Sequence, residues 1–201
     1  VTGAGRTDSK VNAINYVAHF ETSNPDIDAS AVGYKINAIL PAGIKVHSVE
    51  RCEPDFHARF DSKGKKYIYR ILNAESADVF VRNYVYHVAK PLDTDAMRRA
   101  AEYLKGTHDF KSFEAAGGTP RETTVRTIYD ISVTGDRNIE IHVSGDGFLY
   151  NMVRIITGTL TDIGAGKIAP EQMKAIIDAA DRSAAGHTAP PYGLYLAEVY
   201  Y

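Results

Sequence analysis

The sequence holds one cysteine, Cys52, among its 201 residues. No intramolecular disulfide can form, and a zinc site built from several thiolates is excluded. No apolar run approaches the length a helix needs to cross a bilayer. The basic-then-apolar pattern of a secretory signal is missing too. Neither sign of charge dominates: 23 Lys and Arg against 25 Asp and Glu leave a formal net charge of -2. A nucleic-acid binder with this balance must gather its positive charge locally. Internal repeats and low-complexity segments are absent. What is present is ordinary for a soluble globular protein, with 44% hydrophobic and 24% charged residues. The length suits one sizeable domain or two small ones sharing a core. A reducing cytoplasm is the expected location.

The patterning mixes both kinds of element. Ala13–Glu21 is rich in β-branched and aromatic residues and reads as a strand. Asp28 is placed to cap a helix over Ala29–Leu40, with Val32, Ile36, Ile39 and Leu40 at helical spacing and Pro41 and Gly43 to stop it. Ile44–Glu50 reads as a strand, and Lys65–Leu72 alternates around Tyr67, Tyr69 and Ile71. A helix is expected over Asp93–Leu104, ended by Gly106, and a loop at Gly117–Pro120. Val125–Val133 and Ile139–Val143 form a predicted hairpin through Gly135–Asn138. Phe148–Leu160 reads as a buried helix, Pro170–Ala180 as another, and Leu194–Tyr200 as a final strand. Runs of this kind predict an α+β fold with a mixed, mainly antiparallel sheet. Val1-Thr2 resembles the end of a strand whose partners precede it, so the sequence is expected to be a piece of a longer protein.

Several residues could carry chemistry. Gly3-Ala4-Gly5-Arg6-Thr7-Asp8 offers two glycines for close backbone approach, an arginine able to fork onto a phosphate and a carboxylate. It matches neither a phosphate-binding loop nor a dinucleotide fingerprint, and a plain turn explains it equally well. His57–Arg70 gathers Arg59, Lys63, Lys65, Lys66 and Arg70 against Asp61, as an RNA contact or as charges on a strand edge. Tyr67 is either a base-stacking ring or an ordinary sheet residue. Arg154 lies in an apolar helix, where it either snorkels to water or meets a buried anion. His19, His57, His87, His108, His142 and His187 show no metal-ligand spacing. A glycosidase reading fails for want of an acidic partner to Asp8.

Taken in order, these pieces resemble the tRNA pseudouridine synthase A family. The likeness runs from Gly5-Arg6-Thr7-Asp8 and Val17-Ala18-His19-Phe20, through Asp55–Phe60 and Lys66–Arg70, to Asp109-Phe110, Val125–Ile128, Gly147–Arg154 and Gly193–Leu196. It implies a pseudouridine synthase fold, with helices on one face of the sheet and a central catalytic cleft. It also implies approximate halves at 1–105 and 106–201. Asp8 would be the nucleophile, Tyr67 the ring stacked on the target base, and Arg154 the partner of Asp8. Arg6, Lys10, Arg59 and Lys66 would contact the substrate, with Leu194 in the apolar wall. The partner would be tRNA, modified in its anticodon stem-loop by a homodimer without cofactor or metal. Ser9-Lys10-Val11-Asn12 departs from the family's usual Ala-Gly-Val-His, so Lys10 stands for a glycine and Asn12 for a histidine. Two competing readings are a non-catalytic RNA-binding module and a purely structural fragment.

Overall fold

A computed structural model describes residues 1–24, 26–118 and 122–201. In chain order these form β1 (Thr2–Gly3), β2 (Asn12–Ala13), β3 (Ala18–His19), α1 (Ala29–Ile39), β4 (Gly64–Asn73) and β5 (Tyr86–Val88). There follow α2 (Thr94–Glu102), β6 (Gly106–Asp109), β7 (Val125–Thr134), β8 (Asn138–Gly145), α3 (Met152–Gly164), α4 (Gln172–Asp178) and β9 (Leu194–Tyr200). The expected loop at Gly117–Pro120 lies partly outside the described residues. No helix among the described residues is long and apolar enough to cross a membrane.

The chain divides into two compact units. The smaller comprises Val1–Ala4 and Val17–Asp61. Within it β1 pairs antiparallel with β3, and Asp28 caps α1 by accepting from the Ser30 amide. Ile44–Glu50, expected as a strand, forms no ladder. The Asn37 side chain takes its backbone groups instead, donating to Val46 O at 2.9 Å and accepting from Val46 N at 2.8 Å.

The larger unit comprises Gly5–Tyr16 and Ser62–Tyr201 and holds the main sheet, in the order β2-β9-β4-β8-β7-β6. Two of its pairings are parallel, β2 with β9 and β5 with β4; the rest are antiparallel, as the expected mixed α+β class requires. Along one side of β4, β9 pairs over Gly64–Tyr69 and β5 over Ile71–Asn73. In β8, Ile139, Ile141 and Val143 are fully buried while Glu140, His142 and Ser144 are half-buried. The buried set packs with Met97 and Ala100 of α2, Leu104 just after it, Ile155 and Leu160 of α3 and Ile176 of α4. The helices therefore cover one face. The other stays polar, with Arg70 paired to Glu140 at 2.9 Å.

Three expectations change here. Ala13–Glu21 is not one strand: only Ala13, at the end of β2, and Ala18–His19, in β3, join ladders, and the two belong to different units. The helix expected from Phe148 begins at Met152, and the one over Pro170–Ala180 shortens to Gln172–Asp178. β5 and β6 are additions, both drawn into strand geometry by a neighbour: β5 by β4 and β6 by β7.

Candidate active site

Asp8 lies in the loop leading into β2. The Val11 amide donates to Asp8 O at 3.1 Å, closing a turn with Ser9 and Lys10 at its centre. Lys10 has φ 68, the left-handed region that the third position of a type II turn demands. Glycine adopts that torsion more readily than lysine. Asn12 then fastens the loop by donating from Nδ2 to Tyr192 O at 2.8 Å. At the other end the Tyr16 hydroxyl donates to Gly5 O. A β-carbon on Gly5 would stand 2.7 Å from Lys65 Nζ. That ammonium ends a flexible side chain and can swing aside, so neither space nor torsion demands a glycine here.

Arg154 approaches from α3. Its Nη1 donates to Asp8 Oδ2 at 2.9 Å and to Asn151 Oδ1 at 2.6 Å, and its Nε donates to Ala189 O at 2.8 Å. The side chains are 16% exposed for Arg154 and 30% for Asp8. The arginine thus meets an anion inside an apolar helix rather than snorkelling to water, while the carboxylate keeps an accessible side. A charge-assisted hydrogen bond in this setting holds a carboxylate in one orientation.

Tyr67 belongs to β4 where the pairing with β9 slips between Lys66 and Tyr67. Such bulges re-aim side chains and gather near active sites. Its ring stands edge-on to Phe148, 5.1 Å between centroids and 85° between planes. Burial, and then the nearby Asp8 carboxylate, push the Tyr67 hydroxyl up to about 12. At neutral pH it is therefore a hydrogen-bond donor on a flat apolar ring. Tyr69, two residues on, is raised further by burial and donates to Pro190 O at 2.6 Å, a structural role.

The remaining expected site residues divide. Arg6 and Lys10 are exposed on the Asp8 loop. Leu194 is 7% exposed and faces Tyr69 across the β4–β9 ladder, inside the core cluster. Lys66 alternates away from Tyr67 and lines a shallow polar hollow with His142, Ser144 and Tyr200 on the face the helices leave bare. Arg59 belongs to the smaller unit, its guanidinium 5.6 Å from the centre of the Phe60 ring. Sequence reading missed the second partner of Arg154. Asn151 stands three residues before it, a spacing that brings side chains together on a helix, and this was the available signal.

A family model described as tRNA pseudouridine synthase matches residues 100–201. The tRNA pseudouridine synthase A 2 of Clostridium perfringens is 48% identical over 202 residues, covering 100% of this chain and 82% of that protein. The chain belongs to the tRNA pseudouridine synthase family. The tRNA pseudouridine synthase A of Bacillus subtilis is likewise 48% identical, covering 100% of this chain and 81% of its own length. That of Acetivibrio thermocellus is 46% identical over 200 residues, 99% of this chain and 81% of that protein. The family match lies in the part that carries Asn151, Arg154, Ala189 and Leu194. Asp8 and Tyr67 fall in the part that only the full-length relatives cover.

Proposed function

We propose that this chain isomerises uridine to pseudouridine in tRNA, with Asp8 as nucleophile. The observation that carries the reading is the Asp8–Arg154 pair: a carboxylate with one accessible side, held by a guanidinium at 2.9 Å. An ionised carboxylate suits attack on the nucleotide. The glycosidic carbon–nitrogen bond breaks, uracil turns, and the sugar is rejoined through a ring carbon whose proton ends on nitrogen. No electrons enter or leave and no second substrate is consumed.

A base inside a helical stack is out of reach, so the nucleotide must be turned out and held. Tyr67 supplies the ring; stacking on an aromatic is worth roughly 1–3 kcal/mol per base. Its protonated hydroxyl donates a hydrogen bond rather than acting as a phenolate base. Arg6 and Lys10, exposed on the same loop, are the phosphate contacts, and Arg59 and Lys66 are further basic contacts to the RNA. Leu194 backs the pocket. Family likeness supports the anticodon stem-loop as target, a homodimer as working form, the cytoplasm as location, and two halves meeting near residue 105.

The test is pseudouridine formation in an unmodified tRNA transcript. The parent chain should form it; Asp8→Asn should abolish turnover while tRNA binding survives or tightens, since a negative charge is removed from a phosphate-rich ligand's path. Turnover that survives Asp8→Asn removes Asp8 as nucleophile. A parent that binds tRNA without converting it favours the binding-module reading.

A further inference from the structure

We propose that Asn151 is a positioning residue of the site: its side chain, turned from capping α3 to Arg154, fixes the guanidinium against Asp8 through a neutral acceptor. This rests on the reading of Asp8 as nucleophile.

Asparagine ranks among the best helix caps, and a capping residue is normally extended, with its side-chain oxygen on an amide of the first turn. Asn151 holds the cap position of α3 and does neither. Its backbone is left-handed, φ 60 and ψ 10, and it makes no capping hydrogen bond. Instead Oδ1 accepts from Arg154 Nη1 at 2.6 Å. Arginine has donors only, so the oxygen of the amide must be the atom that faces it.

The consequence is geometric. Nη1 carries two hydrogens, one for Asn151 and one for Asp8 Oδ2 at 2.9 Å. Nε is tied to Ala189 O at 2.8 Å, and the Ala189 amide donates back to Arg154 O at 3.1 Å. Three acceptors from three separate segments leave the guanidinium no free rotation. Of these acceptors only Asp8 is charged. Glycine accepts the left-handed backbone without an acceptor. Aspartate accepts it and supplies an acceptor, but as a second carboxylate that competes for the positive charge. Asparagine combines a tolerated torsion, an acceptor and neutrality.

The experiment uses Asn151→Gly and Asn151→Asp in the full chain, and Asn151→Gly in an Arg154→Lys background. Read-outs are melting temperature, tRNA affinity and the single-turnover rate at saturating tRNA. Asn151→Gly should keep the melting temperature and the affinity while the rate falls roughly 10- to 100-fold, the scale of a small misplacement of a catalytic group. Asn151→Asp should not rescue the rate. In the Arg154→Lys background Asn151→Gly should cost nothing further, because the fork it holds is already gone. A parental rate in Asn151→Gly, or an equal loss in both backgrounds, overturns the proposal. A second read-out needs no turnover: the NMR signal of the Arg154 Nε–H, identified by its loss in Arg154→Lys, should be sharp in the parent and broadened in Asn151→Gly. A sharp signal in both overturns the positioning claim even if the parent converts tRNA. A broadened one upholds it even if the parent does not.

Discussion

Asp8 and Arg154 stand 146 positions apart in the chain and 2.9 Å apart in the fold. The contact joins the loop before β2 to the first turn of α3, so it exists only when the β2–β9–β4 end of the sheet and the α3 packing are both in place. Catalytic geometry and global stability are therefore linked through one guanidinium.

Arg154→Met should expose that link. It leaves the Asp8 charge half-buried without its counter-ion and Ala189 O without its donor. Exposed pairs are worth about 0–1 kcal/mol, while breaking a buried one costs about 3–5 kcal/mol. With side chains 16% and 30% exposed, this pair falls between, at about 2 kcal/mol. For a chain of this size the melting temperature should drop by roughly 4–8 °C. Arg154→Lys keeps the charge and should lose less stability but nearly as much activity. Calorimetry beside turnover separates the two; an unchanged melting temperature in Arg154→Met would show the pair contributes nothing to folding.

Tyr67 gives a prediction in pH. Its hydroxyl ionises near 10 when free and at about 12 in the fold, burial being the larger cause and the Asp8 carboxylate the second. The folded state thus holds this proton more tightly than the unfolded one. The associated stability is fully present below pH 10 and is lost as pH rises from 10 towards 12. Tyr67→Phe removes that loss, so parent and variant melting temperatures should diverge less at about pH 11 than at about pH 8 if the parent starts higher. The parent turnover rate should show no tenfold rise per unit between about pH 7 and 9, the mark of a phenolate base. Such a rise would assign Tyr67 the role of base.

Lys10 carries a torsion that suits glycine, φ 68. Left-handed backbone costs a side-chain-bearing residue roughly 1–2 kcal/mol, partly offset by the extra freedom glycine has when unfolded. Lys10→Gly should raise stability by about 0.5–1 kcal/mol. The same change removes an exposed cation from the Asp8 loop, so tRNA affinity should fall and its salt slope flatten by about 1. Opposite movements of melting temperature and affinity would mark Lys10 as a residue kept for binding. Unchanged affinity and slope would remove it from the RNA contact.

Much of the fold could be read from local pattern. β4, β7, β8 and β9 alternate visibly, and Asp28 and Asp93 announce the helices they cap. What could not be read depends on distant partners. Gly106–Asp109 has no apolar alternation and becomes β6 only by pairing with β7. Tyr86–Val88 is a three-residue addition to the free side of β4. The apolar run at Ala13–Glu21 concealed a break between β2 and β3. In the site, Asp8, Tyr67 and Arg154 were named through motif likeness, while the facing of Lys66 followed only once the β4–β8 register was known. Asn151 was overlooked because an asparagine three residues before Arg154 reads equally well as a helix cap; the left-handed backbone that goes with its side chain meeting Arg154 instead is displayed by no residue pattern.

Gly158 links α3 to the segment that holds Arg154 from behind. A β-carbon there would stand 1.8 Å from His187 O and 2.7 Å from its carbonyl carbon, both backbone atoms that cannot swing aside. His187 is further tied to Asp162, whose Oδ2 lies 3.0 Å from His187 Nδ1. Gly158→Ala must therefore push the 187–189 backbone away from the helix, carrying with it Ala189 O, the acceptor of Arg154 Nε. Overpacking of this kind costs typically 1–3 kcal/mol, so the melting temperature should fall by roughly 2–12 °C. Activity measured well below that melting temperature should fall as well, because the guanidinium loses its rear anchor. The control is Ile176→Val, a comparable core perturbation on α4, which should lower stability by about 0.5–1.5 kcal/mol without a matching loss of rate. Parental activity in folded Gly158→Ala would show that Arg154 holds its place without the Ala189 carbonyl.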